Sequence, residues 1–165
     1  MNTIVPSLYA PNALKAISFY KKVFNAKLES HNPLDSTMAQ GMELPEDFDY
    51  SKSTIHAEIS INGDLLFISD DFGNTLKANG RVEVTIIPSS LNMIESFYNN
   101  AVKEGSEVIV KLEKQFWGDY FCRIIDPFGI GWQLNFSPPK KSEEAQLKNS
   151  SKKEKKSPKK SSTKK

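Results

Sequence analysis

The chain has 165 residues, 38% of them apolar, a formal charge of +2 at neutral pH and a single cysteine, Cys122. That length supports one domain with a real core, and a lone cysteine excludes an intramolecular disulfide scaffold. No run approaches the roughly 20 apolar residues of a membrane helix, and the opening MNTIVPSLYAPNA lacks the basic region and long apolar run of a secretory signal. A cytoplasmic protein without membrane contact is the expectation.

In chain order, a short β-rich run from Ile4 to Tyr9 precedes a helical pattern in which Leu14, Ile17, Phe19 or Tyr20, and Val23 or Phe24 recur at three- and four-residue spacing. Asn12 is its candidate N-cap. A strand-like run follows from Ala26 to Ser30. The runs IHAEISI and LLFISDD flank Asn62-Gly63-Asp64, a strong hairpin signal. Asp70 and Asp71, at the end of that hairpin, offer hard oxygen ligands in principle, but acidic pairs at such junctions are chiefly turn formers.

A second series begins at Arg81 to Ile87 and continues into a helix capped by Ser89 or Ser90. Met93, Ile94, Phe97, Ala101 and Val102 form its apolar face, and Gly105 ends it. A strand from Glu107 to Leu112 and the aromatic turn Phe116-Trp117-Gly118-Asp119 lead to YFCRIID and IGWQLNF, joined by Asp126-Pro127-Phe128-Gly129. The last stretch, 138–165, holds 11 lysines against Glu143, Glu144 and Glu154, while residues 1–137 carry 11 basic and 17 acidic side chains. With almost nothing apolar to bury, residues 138–165 read as a disordered Lys/Ser-rich tail.

The two series share more than an order of elements. Ser-Phe-Tyr occurs in both helices, at Ser18 and at Ser96, 78 residues apart, and each half reads β-α-β-β-β. An internal repeat outranks local signals. The expectation is an α+β domain over 1–137, made of paired βαβββ modules at about 3–71 and 80–136 that form cupped, mixed or antiparallel sheets.

The paired modules, the helix motif NALKAISFYKKVFNAKLE, the hairpin HAEISINGDLLFISDD and the closing FWGDYFCRIIDPFGIGWQLN resemble the vicinal oxygen chelate superfamily, the glyoxalase and bleomycin-resistance fold, in its PhnB-like branch. The resemblance covers roughly residues 3–136. It implies a fold, a sheet cavity and a homodimer in which relatives pair their exposed edges. Function varies widely on such a scaffold.

Strand alternation assigns the faces. Ile55, Ala57, Ile59 and Ile61 pack under a helix, leaving His56, Glu58 and Ser60 for the cavity. Val82, Val84 and Ile86 pack, leaving Glu83 and Thr85; Trp132, Leu134 and Phe136 pack, leaving Gln133 and Asn135. Ser7 and Tyr9 share a face with Val5. Tyr120 and Cys122 are expected nearby. The candidate ligand-binding residues are His56, Glu58, Glu83, Tyr120 and Gln133, with Trp117 as an aromatic lid.

Metal-using relatives draw ligands from the first and last strands of each module. By resemblance and internal repeat those slots fall on Val5, Phe67, Glu83 and Gln133. A slip of two residues would bring in Ser7, Tyr9 or Ser69 but no histidine. One carboxylate and one amide make a poor site for zinc or iron, so no cofactor is expected. A divalent metal, if held, would use His56, Glu83 and Gln133. His56 is otherwise a half-buried strand histidine, a general base at most, and His31, in HNPLD, reads as a solvated loop residue. Cys122 has only Arg123 as a basic neighbour, and alternation turns Arg123 to the opposite face, so the thiol reads as inert.

The chain offers no GxGxxG, P-loop, GxSxG or HExxH. Three functions remain: binding of a small polar metabolite or xenobiotic, a metal-dependent lyase, isomerase or dioxygenase of the glyoxalase kind, and weak, sequence-blind nucleic-acid contact through Lys152, Lys153, Lys155, Lys156, Lys159 and Lys160.

Overall fold

The computed structural model describes residues 4–40, 42, 44, 46–72 and 82–139. Arg81 and the lysines at 152, 153, 155, 156, 159 and 160 lie outside the described residues.

In the first half, β1 (Ser7–Ala10) leads into α1 (Ala13–Phe24), then β2 (Lys27–Asn32), β3 (His56–Ile61) and β4 (Asp64–Asp70). In the second half, β5 (Val84–Ile86), α2 (Leu91–Lys103), β6 (Glu107–Lys114), β7 (Tyr120–Ile125) and β8 (Gly131–Phe136) repeat the order. A 3₁₀ turn at Tyr50–Lys52 lies between β2 and β3. No described helix is long and apolar enough to cross a membrane.

Local chemistry accounts for the element ends. The Asn12 side chain accepts from the Lys15 amide at 2.8 Å, and Ser90 accepts from Met93 at 3.2 Å, so each helix has the N-cap its sequence advertised. Asn25 ends α1 in the left-handed region (φ 55°). The β3–β4 turn needs positive φ at both central residues, and Asn62 (55°) and Gly63 (94°) supply it.

Each module builds one four-stranded sheet, in the orders β1-β4-β3-β2 and β5-β8-β7-β6. The first strand of each pairs parallel with the last, and the other pairings are antiparallel. The registers bear out the repeat. Ser7 lies opposite Phe67 as Thr85 lies opposite Gln133, so offsets of 78 and 66 residues relate the modules. Glu58 beside Phe67 then corresponds to Arg123 beside Gln133.

The modules share one core. Tyr20 and Phe24 of α1 meet Trp132 of β8 at ring-centroid distances of 5.2 and 4.8 Å, and Phe24 meets Phe97 of α2 at 5.6 Å. Asp126 ties this together from inside. Its Oδ2 accepts from the Tyr20 hydroxyl and Trp132 Nε1, both at 2.8 Å, and its Oδ1 accepts from the Phe128 and Ile130 amides. Burial pushes the Asp126 carboxyl above the ordinary range while these four donors pull it back. Burial, with the Asp126 charge alongside, also raises the Tyr20 phenol well above its usual value.

Three sequence expectations are corrected. Val82 does not pack; it stands 85% exposed before β5 begins. His31 is not a solvated loop residue. It lies in β2, half-buried, with Nε2 at 3.0 Å from Thr54 Oγ1 and 3.2 Å from the Ser53 carbonyl. Tyr120 alternates with buried Cys122 and Ile124 and packs against the shared core. It therefore sits under the helices, on the face opposite Gln133.

Candidate functional site

With both helices on the core side, the other faces of the two sheets are left open. On the second sheet this face carries Phe121 and Arg123 of β7, Gly131, Gln133 and Asn135 of β8, and Thr85 of β5. Glu83, immediately before β5, lays its side chain across that wall. Arg123 Nε donates to Glu83 Oε1 at 2.6 Å, and Nη2 reaches the same oxygen at 2.5 Å. Gln133 Nε2 donates to Oε2 at 2.8 Å. The Glu83 side chain is 9% exposed, and that of Arg123 is 35% exposed. The Arg123 guanidinium holds the Glu83 carboxyl below the usual carboxylate range, burial opposes this, and the Gln133 amide adds to the lowering.

Gly131 makes room for this network. A β-carbon there would lie 2.7 Å from Glu83 Cγ and 2.9 Å from Oε1. The glycine is thus required by a neighbouring side chain. Asn135 Nδ2 donates to Asp119 Oδ2 at 3.1 Å farther along the same wall. Beyond it, Trp117 is 51% exposed and meets Phe121 at 6.1 Å between ring centroids.

The first sheet presents a different wall. His56 packs edge-on to Phe67 at 4.8 Å, and its Nε2 lies 3.8 Å from Glu58 Oε1. Both side chains are partly exposed. Ser60 donates to Glu29 at 2.5 Å at the outer edge. Where the two modules meet, beside β1 and β5, runs a groove of about 400 Å³ lined by Val5, Leu66, Thr85, Ile86, Ile87 and Trp132 among others; none of the polar residues of either wall except Thr85 lines it.

Of the predicted site residues, the structure brings Glu83 and Gln133 into direct contact and sets His56 beside Glu58. The first pair belongs to the second sheet, the other two to the first. Trp117 stands at the rim beside Phe121, and Tyr120 is on the wrong face. Arg123 and Gly131 were missed. The alternation that turned Arg123 away from Cys122 was the signal that could have found the first.

The four slots implied by the resemblance do not fit a metal. Val5 and Phe67 have no lone pair to give, and both carboxylate oxygens of Glu83 are engaged, one of them by a permanent cation. A metal would have to displace Arg123 or sit against its charge. Among the described residues no group of three His, Cys, Asp or Glu side chains could hold one. Asp70 is committed elsewhere: Oδ1 accepts from the Ala13 amide at 2.6 Å and Oδ2 from the Thr54 amide at 2.7 Å, so it fastens β4 to the start of α1.

Cys122 is fully buried, and burial pushes its thiol up to about 12. A dithionitrobenzoate assay should therefore show no reaction in native buffer and release of one thiol per chain in denaturant. Rapid native labelling would contradict this environment.

Comparison with known proteins agrees with the fold. An uncharacterized protein of Mycobacterium tuberculosis is 29% identical over 136 residues, covering 78% of this chain and 71% of its own. Protein YjdN of Escherichia coli is 20% identical over 137 residues, covering 77% and 89%. Among solved structures, protein PA1353 from Pseudomonas aeruginosa is 25% identical with a TM-score of 0.66, covering 83% of this chain and 98% of that one. A PhnB protein from Bacillus cereus gives the same TM-score at 18% identity, covering 82% and 100%. Residues 2–134 match the family described as the Glyoxalase/Bleomycin resistance protein/Dioxygenase superfamily. The register-matched modules and the profile match agree, and the chain belongs to that superfamily.

Proposed function

We propose that the chain is a small-molecule binding protein of the PhnB-like kind, taking a polar ligand against the open sheet faces without a resident metal. The observation that carries this reading is the Glu83–Arg123–Gln133 network. It fills the superfamily's ligand slots in the second module with a carboxylate whose two oxygens are both already hydrogen-bonded. A carboxylate held by a guanidinium on one oxygen and an amide on the other suits recognition better than metal binding, since a Lewis acid would compete with both for its lone pairs. Glu83 and Gln133 form one wall with Trp117 at its rim; His56 and Glu58 supply the other.

A homodimer belongs to the same proposal. Ile4 and Ile87 are large apolar side chains left exposed at the groove between the modules, and Val82 is exposed just before β5; a second copy is the simplest cover for them.

Native mass spectrometry of untagged protein purified without chelators tests both parts. The expected result is a dimer without stoichiometric metal, carrying either nothing or an organic adduct whose mass begins to identify the ligand. One metal per subunit would overturn the reading in favour of a glyoxalase-type enzyme, and a monomer at micromolar concentration would remove the dimer.

A further inference from the structure

Arg123 is gripped along one side only. Nε and Nη2 both bind the same oxygen of Glu83. Nη1 has no partner among the described residues. The edge formed by Nη1 and the second hydrogen of Nη2 is therefore unengaged on a side chain 35% exposed to the open face. A guanidinium edge of this kind matches two acceptor atoms in one plane, the geometry of a carboxylate. Glu83 has a double effect. It locks the direction of the fork, and by neutralising the charge it selects for a group that can accept two coplanar bonds over a group that is merely anionic.

What lies beside the fork is aromatic. Phe121 is two residues away on the same face of β7, about 6.7 Å along the strand, and Trp117 meets its ring at 6.1 Å. At the far end, Asp119 is held by Asn135, so a ligand's negative charge is turned away from that end and towards Arg123.

We infer that this wall is a subsite for a small aromatic carboxylate, with its carboxylate on the free edge of Arg123 and its ring against Phe121 and Trp117. This rests on the binding reading above and names the ligand class for the same site. Gly131 and Gln133 act as positioning residues, the first by leaving room for Glu83 and the second by anchoring its Oε2.

The test is an amide-resonance titration of the full-length, isotope-labelled chain with three probes: benzoate, benzamide and cyclohexanecarboxylate. Benzoate has both features, benzamide loses the second acceptor, and cyclohexanecarboxylate loses the ring. Benzoate should shift the Phe121 and Arg123 amides with a dissociation constant of about 1 mM or tighter, and roughly tenfold tighter than either other probe. Removing Arg123 alone would strand the Glu83 carboxylate, so the variant is the double change Glu83→Gln with Arg123→Gln, expected to bring benzoate to the level of benzamide. Phe121→Leu, which keeps apolar bulk, should weaken benzoate several-fold and serves if the double variant fails to fold. Equal binding of benzamide or cyclohexanecarboxylate, indifference to both variants, or no saturable response would overturn the inference. Failure with all three probes, in a protein that carries some other organic adduct on native mass spectrometry, would remove this ligand class and leave the binding reading standing. A stoichiometric metal would remove both.

Discussion

Asp126→Ala is expected to lower the unfolding midpoint by roughly 10–15 °C, corresponding to about 4 kcal/mol in a domain of this size. The loss comes from the groups left behind. The Tyr20 hydroxyl and Trp132 Nε1 point into a core where both residues are fully buried, and without the carboxylate neither has an acceptor within the fold. An unpaired buried donor costs about 1–3 kcal/mol, and the Phe128 and Ile130 amides, which shape the turn before β8, lose their acceptor as well. Tyr20→Phe provides the contrast. It removes one donor and leaves Oδ2 bonded to Trp132, so the expected loss is about 1 kcal/mol. Differential scanning calorimetry of the two variants decides the matter. An Asp126→Ala protein no less stable than Tyr20→Phe would mean that the carboxylate is not the hub its bonds describe.

Gly131→Ala should disable the polar wall by adding one methyl group. At 2.7 Å from Glu83 Cγ the new carbon cannot be accommodated unless Glu83 moves, and Glu83 cannot move without releasing Arg123 or Gln133. Overpacking of this sort costs about 1–3 kcal/mol. A double-mutant cycle with Glu83→Ala separates the clash from any intrinsic effect of alanine. Once the carboxylate arm is gone the methyl has space, so the two changes should be strongly non-additive. Strict additivity would show that Glu83 does not lie over Gly131.

The same variant alters the acid response. Because the Glu83 carboxyl is held below its usual range in the folded chain, its contribution to stability is fully present above about pH 4.3, the ordinary glutamate value. That contribution is lost as pH falls through the depressed one. Chemical denaturation at a series of acidic pH values should show this loss in the parent chain and its absence in Gly131→Ala and in Glu83→Gln. An unchanged acid response in Glu83→Gln would assign it to other carboxylates.

Much of the fold could be read from the residues because its signals are local and occur twice. Two helices with matching caps, an Asn-Gly turn and a shared Ser-Phe-Tyr are enough to propose paired modules, and the offset of 78 residues makes Glu83 the counterpart of Val5 in the second module. The site was legible only in part, and the failures have one physical origin. Alternation sorts the residues of a single strand into two faces, but it does not say which face of a neighbouring strand joins them. Cys122 and Arg123 were rightly set on opposite faces. Without the pairing of Cys122 with Leu134 and of Arg123 with Gln133, the face holding Tyr120 was taken for the open one. Gly131 was silent for a related reason. Nothing in the sequence distinguishes a glycine needed for its backbone from one needed for the space above it. Asp126 was legible as a turn residue, but its bond to Tyr20 spans 106 positions, beyond the reach of any pattern.

The parallel pairing of β1 with β4 and of β5 with β8 bears on the order in which the molecule assembles. Each hairpin of a module closes over a few residues, whereas Ser7 must find Phe67 sixty positions away and Thr85 must find Gln133 forty-eight away. Chain closure of that length is entropically slow, so the opening strand of each half is expected to dock onto a preformed hairpin and helix late in folding. The late-docking strands border the groove, and Glu83 is carried into place with the second of them. Hydrogen exchange should accordingly be fastest, within the sheets, along β1 and β5. The edge of the binding surface would then be the part of the sheet that opens at the lowest free energy, giving a ligand a way in while the shared aromatic core stays closed.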